Sequence, residues 1–390
     1  MNKNILKSKI CEKLGVEYPI FLAGMGALPG MPKIGKYYTG TPVELVAAVS
    51  NAGGFGVLGA ATMPPEEIVQ AIAEIRNLTS KPFGIDLMFP AVIETTTQEM
   101  INREKGDLYI NHRDYFDWLD NIREKYRLPS VEFPDYVFNL WNPEFVKTQF
   151  DIAMGAKEVS AICSGIGTPE WVVQRIHNAG KISISLVGSV HQARRVAEMG
   201  TDIIVAQGSE AGGHTGSVGT FTLVPQVVDA VSPIPVLAAG GIGDGRGVAA
   251  AFCLGAKGVW VGTAFLISEE SILTDAYKQV LLNATDSSTV ITDMFTGKRC
   301  RVQKNPLVDE WVAAGFKSLG MPLQIIFMSE LMASSEKSER AELFFLPSGQ
   351  VAGMMKSVKS AKKIFDEMVS VAIKILRGTN IEGVTVSEEG

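Results

Sequence analysis

The sequence predicts an α/β fold, a (β/α)8 TIM barrel with a long insert after its third strand and a mainly helical C-terminal region. Three observations carry this. Short β-branched runs alternate with helical patterns, as in βα units around a parallel sheet. There are eight such runs, Ile20–Ala23, Gly56–Gly59, Phe83–Leu87, Glu158–Cys163, Ile182–Val187, Asp202–Ala206, Pro235–Ala239 and Gly258–Gly262, the number that closes a barrel. Glycine-rich segments follow the sixth, seventh and eighth runs, at the strand ends where barrels place active sites.

Taken in order, the first strand runs into Ala23-Gly24-Met25, small backbone that can lie against a flat ring; a Met there serves packing as often as ligand contact. A helix over 42–51 follows Thr41 as N-cap and ends at Asn51-Ala-Gly-Gly-Phe-Gly56. That run reads as a helix C-cap turn, or as a loop that leaves the Asn51 side chain near the barrel mouth. Residues 65–78 place Ile68, Val69, Ile72 and Ile75 at helical spacing. One face of the third strand, with Asp86 and then Met88, reaches the mouth. Residues 90–155 form the insert, polar and aromatic (Tyr109, Tyr115, Trp118, Tyr126, Tyr136, Trp141), which leaves from the C-terminal rim as a lid or an interface. Helices over 190–199 and 245–254 each end at a glycine, Gly200 and Gly255. A last helix over 359–377 carries a broad apolar stripe. The expected division is a barrel of residues 1–89 and 156–268, the insert, and a helical region from 269 to 390.

Composition narrows the function classes. Of the 390 residues 46% are apolar and 20% charged, so a large core is available. The net charge of −6 offers no basic field for a nucleic acid or an anionic membrane. No apolar run reaches the ~18 residues of a membrane span, and the N-terminus lacks a signal-peptide core. Cys11, Cys163, Cys253 and Cys300 are widely spaced, with no metal or redox pattern, and read as reduced thiols of a cytoplasmic protein. Cys163 stands apart only because it ends a strand.

The chemistry concentrates in Gln207-Gly-Ser-Glu-Ala-Gly-Gly-His-Thr-Gly216, a flexible loop after the sixth strand that holds His214. Gly240 and Gly241 follow the seventh strand, and Gly262-Thr263 the eighth. In barrels these two loops commonly cradle a phosphate with backbone N–H groups; close helix–strand packing is the alternative. His112 lies in the insert, and His177 and His191 lie on helices among charges.

With those residues in view, the chain resembles the nitronate monooxygenase (2-nitropropane dioxygenase) family. The likeness rests on Val46 to Gly56, Gln207 to Gly216, Val236 to Arg246, and Gly262-Thr263, with Thr296-Gly-Lys-Arg299 also similar. It implies FMN across the barrel mouth. The phosphate would take N–H bonds from Gly240, Gly241, Gly262 and Thr263. Ala23, Gly24 and Met25 would back the ring; Asn51 and Gln207 would bond its polar atoms, with Asp86 on the neighbouring face; Gly212 and Gly213 would lie beside it, and His214 would be the acid/base. The implied reaction is oxidation of alkyl nitronates, or nitroalkanes, by O2 to carbonyl compounds and nitrite. The flavin class of enoyl-acyl-carrier-protein reductases shares Glu210 to His214 and the Leu223 to Val231 run, so NAD(P)H-dependent reduction of an enoyl thioester or a quinone is the alternative. The family's Phe-rich end of the fourth strand is replaced here by Ser160-Ala-Ile-Cys-Ser-Gly-Ile-Gly-Thr-Pro169, which alters the substrate pocket. The expected partner is a small molecule, with no metal; the oligomeric state stays open, a homo-oligomer included.

Overall fold

In a computed structural model the chain is described over residues 6–27, 35–89, 142–165, 167–321 and 323–378 and, within the insert, at 103, 106–107 and 109–131. Tyr136 and Trp141 lie outside the described residues. Eight parallel strands follow the chain: β1 (Ile20–Leu22), β2 (Gly56–Gly59), β3 (Phe83–Leu87), β4 (Val159–Ser164), β5 (Ile182–Val187), β6 (Ile203–Gln207), then β8 (Val236–Ala239) and β9 (Gly258–Val261). A short strand β7 (Gly213–His214) lies outside this sheet. The order β1-β9-β8-β6-β5-β4-β3-β2 leaves one seam, between β1 and β2. A bridge from Phe21 to Phe55 closes it, with Leu22 N–H on Phe55 O and Phe55 N–H on Ile20 O, both at 3.0 Å. This is the (β/α)8 barrel that the sequence predicts.

Side chains alternate across each strand, and the inward set fills the barrel. Phe21, Phe55, Val57, Ala161, Cys163, Ile184, Val205, Leu237 and Trp260 are all buried there. Phe21 stacks against Trp260 and lies tilted against Phe55, with ring centroids 6.2 and 5.2 Å apart. The outward set meets the helices α2 (Val43–Asn51), α3 (Pro65–Leu78), α5 (Pro143–Gly155), α6 (Glu170–Asn178), α7 (Val190–Glu198), α8 (Thr220–Val231) and α9 (Gly245–Cys253). Two further helices, α1 (Lys9–Leu14) and α4 (Arg113–Tyr126), lie at the N-terminus and in the insert. Thr41 is not the cap of α2: its hydroxyl accepts the Gly59 N–H at 2.6 Å, and Pro42 stands at the N-cap.

The C-terminal region departs from the expected division. After β9 come α10 (Thr263–Leu266), α11 (Asp275–Leu282), the strands β10 (Thr289–Thr292) and β11 (Cys300–Gln303), then α12 (Pro306–Ala314), α13 (Leu323–Lys337) and α14 (Ala361–Leu376). Helix α14 packs between α9 and α2, so it fills the place of the eighth barrel helix. Two glycines permit the close approach: a Cβ on Gly245 would meet Val371 Cβ at 2.5 Å, and one on Gly54 would meet the Phe365 ring at 2.4 Å. The barrel therefore extends to α14, and residues 267–360 are an excursion from it.

That excursion also receives the insert. Leu119, Ile122 and Leu128 share a buried cluster with Phe295, Val302, Leu307, Trp311 and Phe327. Tyr115 stacks on Phe316 at 4.2 Å, and Arg123 Nη2 pairs with Glu330 at 2.8 Å. The aromatic face of α4 is thus covered within the chain. On the barrel side, buried Gln149 of α5 donates to the carbonyls of Ala60 and Met63 at 3.0 and 2.8 Å, tying the insert's end to the rim beyond β2. No helix among the described residues is long and apolar enough to cross a membrane.

Candidate active site

A cavity of about 1010 Å³ opens at the C-terminal ends of the barrel strands. Its wall brings together Ala23, Gly24, Met25, Asp86, Met88, Gln207, Gly212, Gly213, His214, Gly240, Gly241, Gly262 and Thr263. Of the residues expected around a ligand, Asn51 alone is elsewhere. It ends α2 just before β2 begins, and such αβ turns lie at the opposite end of the barrel from the βα loops. There its Nδ2 donates to Leu78 O at 3.1 Å and its Oδ1 accepts the Thr79 hydroxyl at 2.6 Å. The capping reading of Asn51 is the right one. Asn51→Ala should lose about 1 kcal/mol of stability with flavin content unchanged; loss of flavin in the folded variant would contradict this placement.

The loop after β6 is not free. Gly213 and His214 form β7, an antiparallel edge against Arg301 and Cys300 of β11, with β10 on the far side. Thr215 N–H donates to Arg299 O at 3.1 Å, Gln207 Nε2 to His214 O at 2.7 Å, and Arg301 Nε to Ser209 O at 2.8 Å. Sequence periodicity misses β10 and β11 because each is four residues long and the partner of β11, β7, lies 86 residues upstream by the Cys300–His214 pairing. The loop that carries His214 is thus fixed by the excursion, which pre-organises it.

His214 Nε2 lies 2.9 Å from Thr296 Oγ1. The Thr296 hydroxyl in turn lies 3.3 Å from Lys298 O, which can accept its proton. In the tautomer where Nε2–H donates to Thr296, Nδ1 is left as a base. Burial, and then the charge of Lys298, depress the imidazole to about 4. The imidazole is therefore neutral at physiological pH. A solution-like imidazole able to act as acid or base near neutrality is not what this site holds: the ring is unprotonated, with one nitrogen open to a proton, but burial and Lys298 make it a weaker base than a solvated imidazole. His112, His177 and His191 do not line the cavity; His177 Nε2 sits 2.9 Å from Asp202.

The end of the cavity beyond β8 and β9 shows a backbone cradle. Gly240 and Gly241 take consecutive left-handed conformations, φ 91° and 72°, which only glycine adopts cheaply. Their N–H groups, and that of Gly262, find no acceptor among the described residues. Unpaired backbone donors facing a cavity suit an anion. Thr263 Oγ1 accepts the Gly349 N–H at 2.8 Å, so its own proton is free to donate outward. Gly349 lines the same wall, and a Cβ there would meet Glu210 O at 2.7 Å. Glu210 accepts the Thr220 N–H and hydroxyl at 2.9 and 2.8 Å and pins the loop to α8.

Sequence reasoning passes over Gly349 and gives Glu210 no role beyond its place in the loop motif. Gly349 sits in a run with no periodic signal, and Glu210 acts through a contact ten residues on. Cys163 and Cys300 are buried, and burial pushes both thiols up, Cys300 to about 12, so neither is a nucleophile at neutral pH. Among the described residues no group of His, Cys, Asp and Glu could hold a metal.

A family profile for nitronate monooxygenase matches residues 7–370. A probable nitronate monooxygenase of Staphylococcus aureus is 35% identical over 355 residues, covering 88% of this chain and 91% of that protein. The structure of a nitroalkane oxidase from Streptomyces ansochromogenes superposes with a TM-score of 0.76 at 25% identity, covering 96% of this chain and 100% of that one. FabK from Thermotoga maritima gives 0.71 at 28% identity, covering 96% and 99%. With the barrel, the glycine cradle and the His214 imidazole in place, the chain belongs to the nitronate monooxygenase family of FMN-dependent oxidoreductases.

Proposed function

We propose that the protein oxidises alkyl nitronates, and the nitroalkanes that give rise to them, to carbonyl compounds and nitrite with O2. The observation that carries this reading is the imidazole of His214 in the cavity wall, its Nε2 held by Thr296. A neutral nitroalkane must lose its α-proton before it is readily oxidised. His214 takes that proton at its free ring nitrogen, and the C–H electron pair moves onto the nitro group. A flavin held in the cavity would supply the electron acceptor for this oxidation, with O2 as the terminal oxidant. The Gly240, Gly241, Gly262 and Thr263 cradle suits its phosphate, and the backbone of Ala23, Gly24 and Met25 suits a flat ring. Gln207, Gly212, Gly213 and Asp86 stand beside that ring position.

One observation favours a second reading. Arg195, Lys298 and Arg299 line the same cavity and are exposed, and none pairs with a carboxylate among the described residues. Cations around the mouth suit the phosphates of a nicotinamide dinucleotide, so NAD(P)H-dependent reduction is the alternative. Anaerobic stopped-flow mixing separates the two. Rapid bleaching of the flavin by a nitronate, with NADH and NADPH inert, is the expected result. Bleaching by a nicotinamide with the nitronate inert would replace the first reading with the second.

A further inference from the structure

Several glycines of the cavity wall are explained by what their missing side chains make room for. A Cβ on Gly59 would meet the Met25 carbonyl at 2.2 Å, and one on Gly188 would meet Gly216 Cα at 3.2 Å. One on Gly167 would meet Phe89 O at 2.5 Å, on a backbone that is also left-handed, φ 82°. Gly165 is different. It lines the same cavity, but among the described residues a Cβ there would come within 4 Å of one atom only, Asp86 Oδ1 at 3.9 Å, an ordinary contact. Its backbone is not left-handed. Neither the turn nor the packing of the described residues asks for glycine at this position, so a side chain would stand in the cavity itself. Strand alternation agrees. Ala161 and Cys163 of β4 face the barrel interior, and Gly165 continues their row one layer higher. Its N–H, 3.4 Å from Leu87 O, extends the ladder with β3 to that level.

The room over Gly165 lies beside the loop that carries His214. Gly216, two residues past the histidine, packs on Gly188 just beyond β5, the neighbour of β4. The wall on this side is apolar, with Met88, Pro169, Leu186 and Val187. Thr168 adds little polarity to it, because its hydroxyl is taken up by Ser164 Oγ at 2.5 Å and Ser185 Oγ at 3.0 Å. No aromatic side chain occurs from Ser160 to Pro169 to fill the space. We propose that Gly165 is a specificity-determining position: the room over it takes the alkyl chain of the substrate while the reacting carbon sits at His214, so that longer alkyl nitronates are preferred to those of one or two carbons. The inference rests on the nitronate reading of the site. Each methylene moved from water onto such a wall should raise kcat/KM about fourfold until the room is filled.

The test compares kcat/KM of the holoprotein for the nitronates of 1-nitrobutane and nitroethane. The wild type should favour the longer by about tenfold. Gly165→Leu, which puts a side chain into the room, should lower that ratio about tenfold and keep its FMN. Gly165→Ala, whose methyl makes only the ordinary contact, should lower it about fourfold, and carries the test if the leucine variant does not fold. A ratio unchanged in both variants would overturn the proposal. So would loss of FMN from a folded variant, because the room would then belong to the ring. Wild-type protein that oxidises neither nitronate would instead remove the reaction reading. In that case both compounds are titrated anaerobically against the flavin absorbance. Tighter binding of the longer chain, lost in Gly165→Leu, would uphold the assignment of Gly165, and equal binding of the two would overturn it.

Discussion

Replacing His214 with alanine is expected to lower turnover of a neutral nitroalkane by about 10²–10⁴-fold while FMN stays bound. The side chain contributes no anchor to the glycine cradle, and the strand pairing of β7 runs through backbone, which alanine keeps. Turnover of a pre-formed nitronate should fall much less, because its α-proton is already gone. The pH profile adds a second constraint. With the imidazole near 4, the base is unprotonated throughout the range from about pH 5.5 to 8, so its contribution to kcat/KM is flat there. Protonation, and loss of the base, begins only as pH falls toward that depressed value. An inflection near 6.5 that disappears in His214→Ala would show a solvated imidazole in the working enzyme. Equal losses on nitroalkane and nitronate would remove the proton-abstraction role.

The parts of this site that sequence exposes are those fixed by local backbone chemistry. Gly240, Gly241 and Gly262 follow strands and must leave room, so spacing alone places them on the rim. His214 is found because its loop follows β6. What sequence hides is set by long-range packing. The state of His214 depends on Thr296 and Lys298, more than 80 residues later, and no local pattern shows that its loop is the third strand of a sheet with β10 and β11. Asn51 misleads for a related reason. An Asn-Ala-Gly-Gly run looks the same at either end of a barrel, and only the side on which α2 ends tells them apart. The identity of α14 as the eighth helix is hidden by the excursion of 267–360, which separates it from β9.

The two glycines of the cradle look interchangeable in sequence, and the structure predicts that they are not. Alanine at either takes a left-handed backbone, costing about 1–2 kcal/mol. At Gly241 that is most of the penalty: its Cβ would meet only Glu210 Cβ and Cγ, at ordinary contact distances of 3.6 and 3.9 Å. At Gly240 the Cβ would lie 2.8 Å from Thr220 Oγ1 and 2.9 Å from Gly208 O. Neither atom can retreat freely. Thr220 Oγ1 is held by Glu210 at 2.8 Å, while Gly208 accepts the Thr215 hydroxyl at 3.1 Å and donates its N–H to Ala239 O at 2.9 Å. A displacement of Gly208 passes along the loop to Thr215 and so to His214. Gly240→Ala should therefore lower stability by about 2–4 kcal/mol, release FMN at least tenfold more readily, and impair turnover even at saturating FMN. Gly241→Ala should cost about 1–2 kcal/mol and keep most of its flavin. Thermal unfolding and flavin release, measured on both variants, check this. Equal losses at the two positions would mean that left-handed strain, and not the clash with Gly208 and Thr220, governs the cradle.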